Sequence, residues 1–191
     1  MRSRPASLSE RLLTLAIVIG TMWLVGAFNL FALDGRLLAY GIQPRTEEGL
    51  LGIALAPLLH GSVNHLLTNS AGLLVFGGLV ILRSPLHFWR VTLVGAIASG
   101  MGTWLFGRPA IHVGASGVIF AYFGYLLFTG LFERRVGSLL LSILVFLVWG
   151  PTIYGILPVT RDISWEGHLF GFIGGMLTAW VLAGRPLRGG I

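Results

Sequence analysis

The 191-residue sequence is 55% hydrophobic and only 10% charged, and its mean hydropathy is +0.86. These values leave too little polar surface for a water-soluble globular protein of this size, so the chain is predicted to be an integral membrane protein. Its net charge of +6 needs no nucleic-acid partner, because orientation in a lipid bilayer and anionic headgroups account for it. The sequence has no cysteine, which excludes disulfides and a thiol nucleophile.

Six apolar stretches are each about as long as the roughly 20 helical residues that cross a hydrocarbon core. In chain order they cover residues 12–33, 58–82, 88–106, 114–132, 136–157 and 165–183. The breaks between them carry loop-forming residues such as Asp34-Gly35 and Arg83-Ser84-Pro85. The sequence therefore predicts an all-α integral membrane bundle of six transmembrane helices. A short basic head, residues 1–11, precedes a helical domain of residues 12–183, and a tail of residues 184–191 follows it.

The arginines predict the orientation of this bundle. With alternating helices, nine of the thirteen arginines fall on one side, namely Arg2, Arg4, Arg11, Arg83, Arg90, Arg134, Arg135, Arg185 and Arg188. The other side has four, namely Arg36, Arg45, Arg108 and Arg161. By the positive-inside rule both termini are predicted to be cytoplasmic, in the inner or plasma membrane of a bacterial cell.

Three polar motifs lie within the apolar stretches, where polar groups are costly and usually functional. They are His60, His65 and Asn69 in APLLHGSVNHLLTNS, Ser116 in HVGASG, and His168 in SWEGHLFGFIGG. With the predicted orientation, the second, fourth and sixth helices begin at the outer surface, and each begins with one of these motifs. The three motifs are therefore predicted at one depth, just below the outer face.

The residue types in these motifs suit acyl-transfer chemistry. The Ser116 hydroxyl is a weak nucleophile until a base such as His168 takes its proton. At a predicted helix start, the backbone N–H of Ser116 can help to hold an oxyanion. His65 and Asn69 are four residues apart and share a helix face, so they can donate to the same oxygen, and His60 is given a supporting role. Since Glu166 should point to another side of the helix than His168, a Ser-His dyad is predicted.

Small residues explain how Ser116 and His168 can meet. Gly117, Ala121 and Gly124 form one stripe on the fourth helix, and Gly171 and Gly175 form a GxxxG step near His168 on the sixth. Small faces allow close backbone approach between membrane helices. If the two stripes face each other, Ser116 and His168 come within hydrogen-bond reach.

Together the motifs resemble those of the rhomboid family of intramembrane serine proteases. The resemblance rests on HxxxxHxxxN as His60, His65 and Asn69, GASG as Gly114 to Gly117, and HxxGxxxG as His168, Gly171 and Gly175. It implies a cofactor-free Ser-His dyad protease that cleaves transmembrane proteins near the outer ends of their helices. Ser116 would be the nucleophile, His168 the base, His65 and Asn69 the oxyanion donors, and His60 a neighbouring hydrogen-bonding residue.

The chain departs from the family pattern at two places. Many members have a tyrosine four residues after the serine that stacks on the base; here Phe120 can keep the stack but lacks the hydroxyl. The first outer loop reads GIQPRTEEGL and lacks the Trp-Arg pair of some members. The family also implies lateral substrate entry between the second and fifth helices, with residues 158–166 as a lid.

Two other functions remain open. One is a catalytically silent rhomboid-like protein that binds transmembrane clients. The other is a helical bundle that binds haem or a metal through His60, His65 and His168, although HxxxxH lacks the acid and the spacing of HExxH zinc sites. The dyad hypothesis predicts neither a cofactor nor a metal.

Overall fold

The computed structural model describes residues 4, 6–159 and 163–183. Within these residues the chain forms seven α-helices and, apart from one isolated β-bridge between Ile42 and His112, no strand pairing. The helices are α1 (Leu8–Ala32), α2 (Glu48–Leu55), α3 (Val63–Arg83), α4 (Pro85–Phe106), α5 (Ser116–Glu133), α6 (Val136–Trp149) and α7 (Trp165–Leu182). The predicted all-α class is confirmed. The tail at residues 184–191 and four of the arginines used for orientation, Arg2, Arg161, Arg185 and Arg188, lie outside the described residues.

The first helix begins at Leu8, four residues before the predicted start at residue 12. A capping box fixes this start: the Ser7 hydroxyl accepts from the backbone N–H of Glu10, and the Glu10 carboxylate accepts from the backbone N–H of Ser7. Part of the predicted head, residues 1–11, is therefore the first turn of α1.

The loop between the first two long helices holds a helix that the apolar pattern did not predict. This helix, α2, is flanked by the 3-10 turns Arg36–Tyr40 and Ala56–Leu58. Gly49 and Gly52 let α2 lie directly on the backbone of residues 41–43, which a Cβ at either glycine would overlap. A short helix of eight residues cannot cross a bilayer, so it packs within the loop.

The second predicted span, residues 58–82, begins later than expected. Helix α3 starts at Val63, because the Ser62 hydroxyl caps it by accepting from the backbone N–H of His65 at 3.1 Å. The prediction that His60 lies on the same helix as His65 was wrong, since His60 lies in the irregular segment between the 3-10 turn Ala56–Leu58 and the Ser62 cap. A π-helical turn, Leu73–Gly77, widens α3 without ending it.

In the part of the chain that the structure describes, four helical segments have the length and apolar composition of a membrane crossing: Leu8–Ala32, Val63–Arg83, Ser116–Glu133 and Val136–Ile156. The last of these is α6 together with a 3-10 helix, Gly150–Ile156, so the predicted single helix at 136–157 changes type near Pro151. Helices α4 and α7 are long but richer in glycine and polar residues. The count of six crossings stays a prediction.

Helix α5 lies at the centre of the bundle, with α4, α6 and α7 packed around it. Its interface with α7 is set by glycines. A Cβ at Gly171 would overlap the Gly117 carbonyl, and one at Gly175 would overlap the Ala121 carbonyl. In the reverse direction, a Cβ at Gly124 would overlap the backbone of α7 at Phe172. The prediction that the two small-residue stripes face each other is confirmed.

Candidate active site

Ser116 and His168 meet at one end of the bundle, which we call the site end. Ser116 is the first residue of α5 and His168 is the fourth residue of α7. Their side chains are in hydrogen-bond contact, with 2.8 Å between His168 Nε2 and Ser116 Oγ. Because the glycine contacts hold the two backbones together within a turn of this pair, the distance depends on the absence of side chains at those positions.

A second hydrogen bond fixes the orientation of the His168 ring. Its Nδ1 lies 2.9 Å from the carbonyl oxygen of Gly155, in the 3-10 helix after α6. A carbonyl oxygen only accepts, so Nδ1 carries the proton and Nε2 faces Ser116 as an acceptor. The ring of Phe120 stacks on His168 with 4.1 Å between centroids and 10° between planes, so this position keeps the stacking contact without a hydroxyl.

His65 and Asn69 project from α3 into the same open cleft as Ser116 and His168, which has a volume of about 680 Å³. The Asn69 Nδ2 donates to the His65 carbonyl at 2.8 Å, which uses one of the two amide hydrogens. The His65 ring lies over Gly114, where a Cβ would come within 2.6 Å of Nε2. Gly114 also has φ +112°, a conformation that L side chains rarely adopt, so only glycine suits this position.

His60 lies behind His65 and does not line the cleft. It is fully buried, and the two imidazole rings meet edge to face with 4.8 Å between centroids. Its Nδ1 lies 3.4 Å from the Leu58 carbonyl oxygen, and its Nε2 has no hydrogen-bond partner among the described residues. The contact with His65 agrees with a supporting position for His60.

Glu166 is buried but is not the third member of a triad. Its Oε1 accepts from the backbone N–H of Arg108 at 3.1 Å, whereas His168 Nδ1 bonds to the Gly155 carbonyl. The inference that Glu166 points away from His168 is confirmed. Glu166 instead ties the start of α7 to the loop between α4 and α5.

Three residues of this region were missed by the sequence reasoning: Gly155, His112 and Ser164. His112 and Ser164 line the cleft, and His112 Nδ1 lies 2.7 Å from Ser164 Oγ, while its Nε2 lies 3.1 Å from the Arg108 carbonyl oxygen. The only signal for His112 was its place in the HVGASG motif. Nothing in the sequence marked the Gly155 carbonyl, because a backbone group carries no residue signature.

The metal-binding alternative requires at least three ligands around one point. Among residues 4, 6–159 and 163–183, no three histidine, aspartate or glutamate side chains are placed to share an ion. His60 and His65 contact each other, but His168 bonds to Ser116 and Gly155 instead. The geometry therefore gives this alternative no support.

Comparison with known proteins agrees with the resemblance in the motifs. Residues 47–185 match the sequence model of the Rhomboid domain family, a segment that contains all three motifs. The chain belongs to the rhomboid family. It is an integral membrane protein with the helical bundle of that family.

Several relatives extend the comparison across bacteria and plants. An uncharacterized protein of Mycobacterium tuberculosis is 35% identical over 179 residues, which cover 89% of this chain and 74% of the relative. YdcA of Bacillus subtilis, which is named as a candidate rhomboid protease, is 32% identical over 139 residues. These residues cover 69% of this chain and 66% of YdcA. RHOMBOID-like protein 1 of Arabidopsis thaliana is 34% identical over 140 residues, covering 69% of this chain and 34% of that protein.

Proposed function

We propose that this protein is an intramembrane serine endopeptidase that hydrolyses peptide bonds in or near the transmembrane helices of other membrane proteins. The observation that carries the proposal is the 2.8 Å contact between Ser116 Oγ and His168 Nε2, with the opposite ring nitrogen held by the Gly155 carbonyl. Membership of the rhomboid family supports it. The site end is proposed to face the outer surface of a bacterial plasma membrane, with both termini cytoplasmic.

The first half of the reaction forms an acyl-enzyme. Ser116 Oγ attacks the scissile carbonyl carbon while His168 Nε2 takes the hydroxyl proton, giving a tetrahedral oxyanion and an imidazolium. The C–N bond then breaks, and His168 gives its proton to the leaving amine. The bond from Nδ1–H to the Gly155 carbonyl holds the ring in the tautomer that this step requires. The Phe120 stack limits rotation of the ring.

The second half consumes one water molecule. His168 takes a proton from water, the resulting hydroxide attacks the acyl carbon, and Ser116 Oγ leaves with the proton that His168 returns. The cleft suits this step because polar side chains line it, including Ser62, Asn64 and Thr68. A peptide bond inside a helix is shielded by its own hydrogen bonds, so substrates with Gly, Pro or polar residues near the bond should be cut best.

The oxyanion would be held by three donors that converge on the cleft. They are the side chains of His65 and Asn69 and the backbone N–H of Ser116, which is among the first four of α5 and has no partner within that helix. His60 would keep the His65 ring in place through their edge-to-face contact. One such donor is worth about 10²- to 10³-fold in turnover in related chemistry.

A graded set of variants tests the proposal on a model transmembrane substrate in proteoliposomes. Ser116→Ala and His168→Ala should each abolish measurable cleavage, because removing either member of a nucleophile-base pair costs several orders of magnitude. His65→Ala and Asn69→Ala should slow turnover roughly 10- to 1000-fold while keeping the thermal midpoint in detergent.

The outcomes separate the proposal from a catalytically silent client-binding protein. That protein would bind the substrate but leave it intact in the wild type as well as in the variants. Near-normal turnover in either dyad variant would refute the dyad. If His65→Ala and Asn69→Ala lose activity only because they unfold, these residues are structural and the oxyanion assignment is wrong.

A further inference from the structure

A groove opens between α4 and α7 at the end of the bundle away from the site end, which we call the far end. The two helices run antiparallel and touch at positions four residues apart. Phe170 packs on Gly102, and one turn further a Cβ at Gly174 would lie 2.8 Å from that of Ala98. These small residues bring the backbones close.

The next two steps along the same faces lack glycine. They are Val94 and Arg90 on α4 and Thr178 and Leu182 on α7, whose larger side chains leave a gap between the two helices. The result is a cavity of about 280 Å³ lined by these four residues together with Leu177 and Val181. Four of the six lining side chains are aliphatic, and Leu177 and Val181 are exposed at its mouth.

Arg90 is the charged residue that lines this groove, and no acidic residue of the described chain lines it. Helix α4 contains no acidic residue, and neither does the chain after Glu166, where Arg185 and Arg188 add further positive charge in sequence. The described carboxylates near the far end have other partners: Glu133 is bonded to Arg83, and Glu10 accepts from the backbone N–H of Ser7. A half-buried guanidinium beside an aliphatic groove matches a ligand with an acidic head and an apolar tail.

We propose that the groove between α4 and α7 binds one anionic phospholipid, with its phosphate on Arg90 and an acyl chain along Val94, Leu177 and Val181. The proposal depends on the membrane location of the chain and not on the proposed protease activity. Basic pockets between transmembrane helices on the cytoplasmic side are known to suit such headgroups. From His168 to Leu182 along α7 is roughly 21 Å, so this lipid would lie well away from the cleft.

The bound lipid would join α4 to α7 where the glycine contacts end. The oxygens of a phosphate can accept two parallel N–H bonds from the planar guanidinium. A zwitterionic headgroup also carries a phosphate, but its cationic group reduces the net attraction to the arginine. Loss of one arginine near an anionic lipid surface lowers affinity by about fivefold. The groove should therefore prefer phosphatidylglycerol to phosphatidylcholine by at least that factor.

Native mass spectrometry of the full chain tests the proposal. Delipidated protein in a neutral detergent is titrated with phosphatidylglycerol or phosphatidylcholine, and bound lipids are counted. Wild type should retain one phosphatidylglycerol, and Arg90→Gln should weaken its binding fivefold or more. The matched control is Arg135→Gln, which removes an exposed arginine of the short turn between α5 and α6 that does not line the groove.

Several outcomes would overturn the proposal. Arg90→Gln and Arg135→Gln could weaken lipid binding equally, or the protein could bind the two lipids equally. Inorganic phosphate at matched concentration could displace the lipid, or a second copy of the chain could occupy the groove in place of lipid. If Arg90→Gln lowers the thermal midpoint, its loss of lipid binding could come from unfolding. Val94→Trp then tests the site, because its side chain fills the groove and Arg90 is kept. Folded Val94→Trp should lose the retained lipid, and undiminished binding there would refute the site.

Discussion

The α5–α7 pair and the segment from α6 to Ile156 contribute to the candidate active site in two different ways. Most side chains of α5 are buried, and glycines seat its backbone against α7. Along α6 the buried residues are Ser138, Ser142 and Val145, and most of the remaining side chains face outward. Ser116 and His168, the proposed dyad, lie on α5 and α7. The carbonyl that orients His168 comes from the 3-10 helix that follows α6.

Two regions therefore control two different quantities: the distance between Ser116 and His168, and the orientation of the His168 ring. The distance between Ser116 and His168 is set by backbone contacts that cannot shift without breaking the core. The orientation of His168 depends partly on Gly155, in a segment with few buried contacts, and such segments open locally at low cost. Changes in the α5–α7 pair should therefore damage stability and activity together, while changes near Gly155 should affect activity alone.

Among the variants that compare these two regions, the largest effect is expected from Gly171→Val. Its side chain would overlap the Gly117 carbonyl, so α7 must move away from α5. Even a 1 Å shift of His168 relative to Ser116 can cost about 100-fold in rate, and we expect that loss together with a lower thermal midpoint. Gly175→Val should act similarly. Cleavage assays and thermal unfolding in detergent measure both quantities.

The matched control for Gly171→Val is Gly137→Val in α6, where a Cβ meets no atom within 4 Å. Valine has a higher helix propensity than glycine, so this variant should be as stable as wild type or slightly more so, with normal activity. A fully active and stable Gly171→Val protein would mean that α7 does not depend on this close crossing.

A second prediction compares two leucines in the two regions. Leu126 of α5 is fully buried, and Leu147 of α6 is 72% exposed. Leu126→Ala leaves a cavity in the core and should lower the free energy of unfolding by about 2 to 5 kcal/mol. Leu147→Ala removes a side chain from the lipid-facing surface and should change it by no more than about 0.5 kcal/mol. Similar losses at both positions would show that α6 belongs to the same rigid unit.

The smallest effect is expected from Gly155→Ala, which tests orientation. Its methyl group would lie 2.5 Å from Cζ of Phe120, the ring that stacks on His168, so the ring must move by a fraction of an ångström. We expect about a 3- to 10-fold loss of turnover, a small part of what full misplacement costs, with the thermal midpoint unchanged.

Gly150→Ala in the same 3-10 helix is the control, since its methyl group would make only ordinary contacts, at 3.6 Å and beyond. It should keep wild-type turnover. If Gly155→Ala also keeps wild-type turnover, neither the Phe120 stack nor the Gly155 carbonyl constrains the base in the way described.

The helical class and the meeting of Ser116 with His168 could be predicted because both depend on local patterns. Apolar length indicates helices, and small residues at four-residue spacing indicate a close crossing, here between Gly171 and Gly117. The contact of 2.8 Å between His168 Nε2 and Ser116 Oγ agrees with the hydrogen-bond reach expected if the two stripes face each other.

Other features depend on contacts that a single sequence does not display. The start of α3 moved to Val63 because one hydroxyl, that of Ser62, caps it, and α2 exists because Gly49 lies on the backbone of the same loop. The Gly155 carbonyl could not be predicted at all, since every residue carries such a group. The bond between His112 and Ser164 joins residues 52 positions apart.

The central claim is that the α5–α7 crossing makes Ser116 nucleophilic through His168. Labelling with a fluorophosphonate probe measures this directly, because the probe phosphonylates an activated serine without needing a substrate. Wild type should be labelled at Ser116, Ser116→Ala should not be labelled, and folded His168→Ala should react at least 100-fold more slowly. Labelling of His168→Ala at the wild-type rate, or labelling of wild type at a serine other than Ser116, would contradict the account.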